Sequence, residues 1–126
     1  MNMPTATRTT LVMGASDNPA RYSHMAIHRL RAQGHPVRAI GRKKLRVADV
    51  DVEKDMVPWT DIDTITLYLN PQHQEPYYEY FLSLKPRRII FNPGTENPEL
   101  EMLASEEGID CIEACTLVML STGQYA

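Results

Sequence analysis

A short apolar run, Leu11-Val12-Met13, breaks into Gly14-Ala15-Ser16-Asp17-Asn18-Pro19 just ahead of an amphipathic stretch, and this passage restricts the chain more than any other. It reads as a buried strand, a tight loop and the start of a helix. Gly14 lets the backbone turn sharply and come close to a ligand. Asn18-Pro19 is expected to supply the N-cap and first residue of the helix. Such a loop aims backbone N–H groups and the positive end of the helix dipole at an anion, and a diphosphate is its natural occupant. Any strand-to-helix turn of an α/β domain has a similar make-up, so the loop alone leaves both readings open.

The remainder of the chain repeats the theme. Residues 1–8 are polar and expected to form a loose tail. A strand over 9–13 is followed by a helix carrying Tyr22, Ala26 and Leu30 at four-residue spacing, closed by Gly34. A second strand over 36–40 runs directly into Gly41-Arg42-Lys43-Lys44, the densest charge cluster in the sequence. From 45 to 63 the pattern weakens to scattered valines among acids, which predicts irregular or hairpin structure. The third strand, over 64–69, is short and rich in β-branched residues, and Asn70-Pro71 opens the next helix. Pro76 interrupts that helix, which then restarts with Tyr77, Tyr80, Phe81 and Leu84 on one face. A fourth strand over 87–91 exits through Asn92-Pro93-Gly94; Asn97-Pro98 starts a helix that Gly108 ends, and the fifth strand covers 109–113. Ser121-Thr122-Gly123-Gln124 reads as a polar tail.

Strands alternating with helices imply an α/β, Rossmann-like open parallel sheet of about five strands with helices on both faces, because each parallel pair needs a crossover. The expected strand order is 3-2-1-4-5. Three strand exits carry Asn-Pro, and in such a sheet those exits line one crevice. At 126 residues, positions 9–126 form one domain, large enough for a core without metal or disulfide staples.

Composition narrows the partners. A net charge of −3 argues against a general nucleic-acid binder, whose surface would be basic. No apolar stretch approaches a membrane span, and the N-terminus lacks the basic start and apolar core of a signal peptide, so a cytoplasmic location is expected. Two cysteines, Cys111 and Cys115, make no disulfide framework. At strand spacing they share a face as small hydrophobes, or Cys115 lies near the crevice as a thiol. His24 and His28 share a helix face but lack a third ligand, so no metal site is expected. His35 and His73 read as loop or helix-end residues without a partner, and no catalytic acid, base or nucleophile stands out.

The loop departs from G-x-G-x-x-G, and the end of the second strand offers Arg42, Lys43 and Lys44 where an acid would hold ribose hydroxyls. Ordinary NAD binding therefore loses support in favour of a phosphorylated ribose: NADP with its 2′-phosphate or coenzyme A with its 3′-phosphate. A solvated basic turn would look the same.

From Val12-Met13-Gly14-Ala15-Ser16 through Asn18-Pro19, then Arg42-Lys43, Asn70-Pro71 and the ending Ile112-Glu113-Ala114-Cys115, the chain resembles the small stand-alone CoA-binding proteins. These are similar to the CoA-binding domain of the succinyl-CoA synthetase α subunit. The resemblance implies that the first loop, Gly14, Ala15, Ser16, Asp17, Asn18 and Pro19, holds the CoA phosphates. It places Arg42 and Lys43 at the 3′-phosphoadenosine, Leu69, Asn70 and Pro71 along the pantetheine or adenine, and Asn92 and Gly94 near the cofactor. Phe91-Asn92-Pro93-Gly94 stands where many relatives carry a glutamine-bearing stretch, and the synthetase's phosphohistidine domain has no counterpart here. The expected function is a non-catalytic or regulatory domain for coenzyme A or acyl-CoA; only the second reading of Cys115, as a thiol near the crevice, would let it exchange with the CoA thiol. The alternatives are an NADP-dependent oxidoreductase using the same crevice and an interaction module with a vestigial site.

Overall fold

The computed structural model describes residues 6–126. Strands β1 (Thr10–Ala15), β2 (Val37–Gly41), β3 (Leu45–Val47), β4 (Val50–Glu53), β5 (Thr64–Leu67), β6 (Arg88–Phe91) and β7 (Asp110–Glu113) form one sheet in the order β3-β4-β2-β1-β5-β6-β7. All neighbours are parallel except β3 and β4. Helix α1 (Tyr22–Ala32) covers one face, joined there by α5 (Thr116–Ser121). The other face carries α2 (Pro71–Gln74), α3 (Tyr78–Ser83) and α4 (Pro98–Glu106), with a 3₁₀ turn at Glu75–Tyr77 where Pro76 breaks the α-helical pattern.

Alternation along the strands divides the core. Leu11, Met13, Ile65, Leu67, Ile89 and Phe91 pack against Phe81, Leu84, Leu100 and Ala104, while Val12, Ala39, Val52 and Ile90 pack against Ile27, Leu30, Met119 and Leu120. Because both faces are covered, the central strands are buried at every position or nearly so. Among the described residues no helix is long and apolar enough to cross a membrane.

The Rossmann-like fold is as expected, with local corrections. Residues 45–63 contain a true hairpin, and its second strand, β4, lies parallel to β2 at the place assigned to the strand over 64–69. That strand, β5, sits instead on the other side of β1. The order 3-2-1-4-5 is therefore wrong for the five strands expected, yet the six parallel strands, counted in chain order, run 3-2-1-4-5-6. Val50 and Val52 were the signal for β4, obscured by the intervening Asp51.

Helix α1 begins at Tyr22, not at Pro19: Asn18 accepts the Arg21 N–H through its carbonyl (3.0 Å), forming a turn before the helix. The expected polar C-terminal tail is α5 followed by a buried Tyr125. Thr10, Thr64 and Arg88 lie side by side in register at the N-terminal end of the sheet. There Arg88 donates to Thr64 Oγ1 (2.8 Å) and the Tyr125 carbonyl (2.7 Å), its guanidinium 4.4 Å from the centre of the Tyr125 ring. The Tyr125 hydroxyl bonds Thr10. This network compensates a buried cation with dipoles and a π face. Of the expected loose tail 1–8, residues 1–5 lie outside the described residues. Arg8 is tied down: its N–H donates to His35 Nδ1 (3.0 Å) and its guanidinium to Asp63 (3.1 Å). His35 is thereby a buried, partnered residue rather than a free loop histidine.

Candidate functional site

The chain leaves β1 through α1 on one face and leaves β5 through α2 on the other, so the loops after these neighbouring strands diverge. A crevice at the C-terminal ends of the strands follows from that divergence. It measures about 690 Å³, within the range of small-molecule and cofactor sites.

Two glycines shape its floor. Gly14 has φ +90°, and a Cβ there would stand 3.1 Å from both the Tyr68 carbonyl oxygen and Leu69 Cδ2. At Gly41 a Cβ would come within 2.4 Å of the Ala15 carbonyl oxygen. The exits of β1, β2 and β5 therefore meet backbone to backbone, tied further by the Tyr68 N–H donating to the Met13 carbonyl (2.9 Å).

Gly14, Ala15, Ser16 and Asp17 line the cleft as the sequence predicts. Asn18 and Pro19 do not line it. Asn18 Oδ1 accepts from the Ala20 N–H (3.0 Å), while its own N–H donates to Ser16 Oγ (3.0 Å), so the pair shapes the loop from behind. The cap of α1 is Arg21, whose side chain bonds none of the first N–H groups, and the first turn holds no acid. A helix start without a carboxylate or hydroxyl cap keeps its positive end available to a ligand. Arg21, Tyr22 and Ser23 all face the cleft. Sequence reasoning missed them because it began the helix three residues early.

Arg42 and Lys43 line the cleft beyond β2. Among the described residues neither has a carboxylate within ion-pair distance, whereas Lys44 lies 3.7 Å from Glu53. The turn thus divides into two free cations and one paired with the sheet. From the β5 exit come Leu69 and Asn70, with Tyr68, His73 and Tyr77 beside them. Asn70 caps α2 through the His73 N–H (3.0 Å), which places His73 at the rim; Pro71, at the first helical position, lies outside the cleft. Gln74, fully buried, donates to the carbonyls of Leu69 and Thr95 (both 2.8 Å) and holds the β5 and β6 exits together.

Gly94 lines the far end with Pro93 and Thr95, its φ of +91° allowed by the missing side chain. Asn92 does not reach the cleft. Its amide donates to Thr66 Oγ1 (2.7 Å) and the Leu67 carbonyl (2.9 Å), and its oxygen accepts from the Thr116 N–H (2.8 Å). Asn92 is a fully bonded joint between β5, β6 and α5, which nothing in the spacing of Asn92-Pro93-Gly94 distinguishes from a ligand contact.

Burial pushes the Tyr68 hydroxyl up to about 12. The Thr66 and Thr116 hydroxyls pull the other way but bond each other (2.8 Å), leaving the phenol oxygen without a partner among the described residues. Cys111 and Cys115 are free and half-buried, and neither lines the cleft. Since β7 ends at Glu113, the strand-face relation expected of the two does not apply. Burial raises the Cys111 thiol, away from thiolate chemistry. The His24 and His28 rings are 4.8 Å apart on α1, but no cluster of three metal-ligating side chains exists among the described residues.

A crystallised uncharacterized protein is 47% identical to this chain, with a TM-score of 0.93 over 96% of this chain and 100% of its own. A protein from Thermus thermophilus shares the fold at 21% identity and TM-score 0.83, covering 94% of this chain and 91% of its own. The fold also recurs in a dinucleotide-forming acetyl-coenzyme A synthetase from Ca. Korarchaeum cryptofilum, solved with phosphate and ADP. That likeness, at 16% identity and TM-score 0.67, covers 85% of this chain but 25% of the larger one. No curated protein matches the chain. The family model described as the CoA binding domain matches residues 8–121, and the chain belongs to that family.

Proposed function

We propose that the cleft binds coenzyme A or an acyl-CoA as a non-catalytic or regulatory ligand. The observation that carries this reading is the pairing, around one crevice, of an acid-free helix start with a basic turn whose Arg42 and Lys43 have no carboxylate partner among the described residues. Residues 14–17 and the first N–H groups of α1 would receive the diphosphate. Arg42 and Lys43 would grip the 3′-phosphate at one end, and the pantetheine arm would run past Leu69 and Asn70 toward Gly94. Family membership supports coenzyme A over NADP as the phosphorylated nucleotide.

A binding role suits the chemistry of the lining. A phenol pushed up to about 12, as Tyr68 is, makes a poor proton acceptor near neutrality, and among the described residues no hydrogen-bonded nucleophile–base pair lines the cleft.

The test is calorimetric titration with coenzyme A and dephospho-CoA. Charge-assisted hydrogen bonds contribute about 1.5–3 kcal/mol each. Loss of the 3′-phosphate should therefore weaken binding roughly ten- to a hundredfold. The Arg42→Ala/Lys43→Ala double variant should lose that preference while keeping its affinity for dephospho-CoA. Because the clamp is exposed, the preference should also shrink as salt is added. Equal affinity of the wild-type protein for both ligands would remove the basic turn from the site.

A further inference from the structure

We infer that Tyr22 is the platform on which the adenine ring of the bound nucleotide stacks, an inference that rests on the coenzyme A reading of the cleft. Tyr22 is the most exposed of the large apolar side chains among the described residues, at 68%. Exposure alone means little, since single apolar side chains on a surface are ordinary. Its position gives the exposure meaning. The residue is the first of α1 and stands one turn above Ala26, on the flank of the stripe formed by Ser23, Ala26, Ile27 and Leu30, all of which are buried. Below, that stripe meets the sheet; above, where the strands end, Tyr22 meets the cleft instead.

The end of the cleft is fixed by its neighbours. Helix α1 packs against β3, and β3 starts at Leu45, two residues beyond Lys43. Tyr22, Leu45, Arg42 and Lys43 all line the cleft. Leu45 is half-buried against the core beneath and supplies an apolar wall on the side of the basic turn. A flat ring with an apolar wall and two free cations close by is the chemistry that recognises a purine nucleoside carrying a ribose phosphate. Pantetheine has no aromatic ring to stack, so Tyr22 discriminates for the nucleotide half of the ligand. Sequence periodicity concealed this role, because four-residue spacing with Ala26 and Leu30 reads Tyr22 as core.

Three probes separate the halves of the ligand: coenzyme A, adenosine 3′,5′-bisphosphate and 4′-phosphopantetheine, titrated into wild-type, Tyr22→Ala and Tyr22→Phe proteins. Base–aromatic stacking predicts that Tyr22→Ala weakens coenzyme A and the bisphosphate about five- to hundredfold, leaves 4′-phosphopantetheine within about twofold, and that Tyr22→Phe restores binding. An exposed side chain leaves the urea midpoint unchanged, so a folding defect would be visible separately. Unchanged coenzyme A affinity in Tyr22→Ala overturns the inference while leaving the cleft intact. An equal loss for 4′-phosphopantetheine also overturns it, by assigning Tyr22 to the phosphate loop. Failure of the wild-type protein to bind coenzyme A at all overturns the underlying reading, and this inference with it.

Discussion

At Gly14 a side chain would meet protein before it met any ligand. The +90° φ and the 3.1 Å approach of a Cβ to the Tyr68 carbonyl oxygen make the position structural first. Adding the backbone strain to the overpacking, Gly14→Val should lower stability by about 2–4 kcal/mol, read as a fall in the urea midpoint. The sequence marks this glycine as special, but the reason lies in the β5 exit, more than fifty residues away, which local pattern cannot reveal. His35 supports a second residue-level prediction. Burial lowers its pKa, with the Arg88 and Arg8 charges acting in the same sense and Asp63 opposing them. An unfolded histidine titrates near 6.5. Below about that pH the unfolded chain takes up a proton that the folded protein resists, so stability present above 6.5 is lost progressively until the depressed folded pKa is passed. His35→Asn keeps an acceptor for the Arg8 N–H and should lose less stability between pH 7 and pH 5 than the wild-type protein, as measured by urea midpoints.

Elements announced by strong local chemistry were legible. Asn70-Pro71 and Asn97-Pro98 start α2 and α4 with the Asn side chain as cap, and Gly34 and Gly108, at positive φ, follow the ends of α1 and α4. Asn18-Pro19 carries the same letters yet forms a turn, because its side chain bonds the Ala20 N–H and the helix waits for Arg21. The β3–β4 hairpin was only partly legible: its turn passes through Ala48 at φ +54°, without the glycine or asparagine that usually marks one. Relieving that strain, Ala48→Gly should leave stability unchanged or raise it by up to about 1 kcal/mol in urea unfolding. Asn92 shows the opposite case, a side chain committed to a structural joint at a position where the sequence pattern suggests a ligand contact. Asn92→Ala strips partners from Thr66, Leu67 and Thr116, and should cost about 2–4 kcal/mol. Coenzyme A affinity of the folded variant should stay near that of the wild-type protein.

For the molecule as a whole, the site is a consequence of topology. Placing α1 on one face and α2 to α4 on the other opens the crevice between the β1 and β5 exits, and the cationic turn follows β2 on the adjacent strand. The alternating pattern of strands and helices makes this crevice readable without the full strand order, because in the expected and the observed arrangement alike β1 lies where the chain turns from one side of the sheet to the other. Ligand binding at such a site stabilises the fold by mass action, by about 2.7 kcal/mol at a hundredfold excess over Kd. Whether this crevice holds coenzyme A is decided by isothermal titration of the wild-type protein with coenzyme A and NADP at one ionic strength. Tighter binding of coenzyme A is the predicted result; tighter binding of NADP, or no binding of either at millimolar concentration, would contradict it.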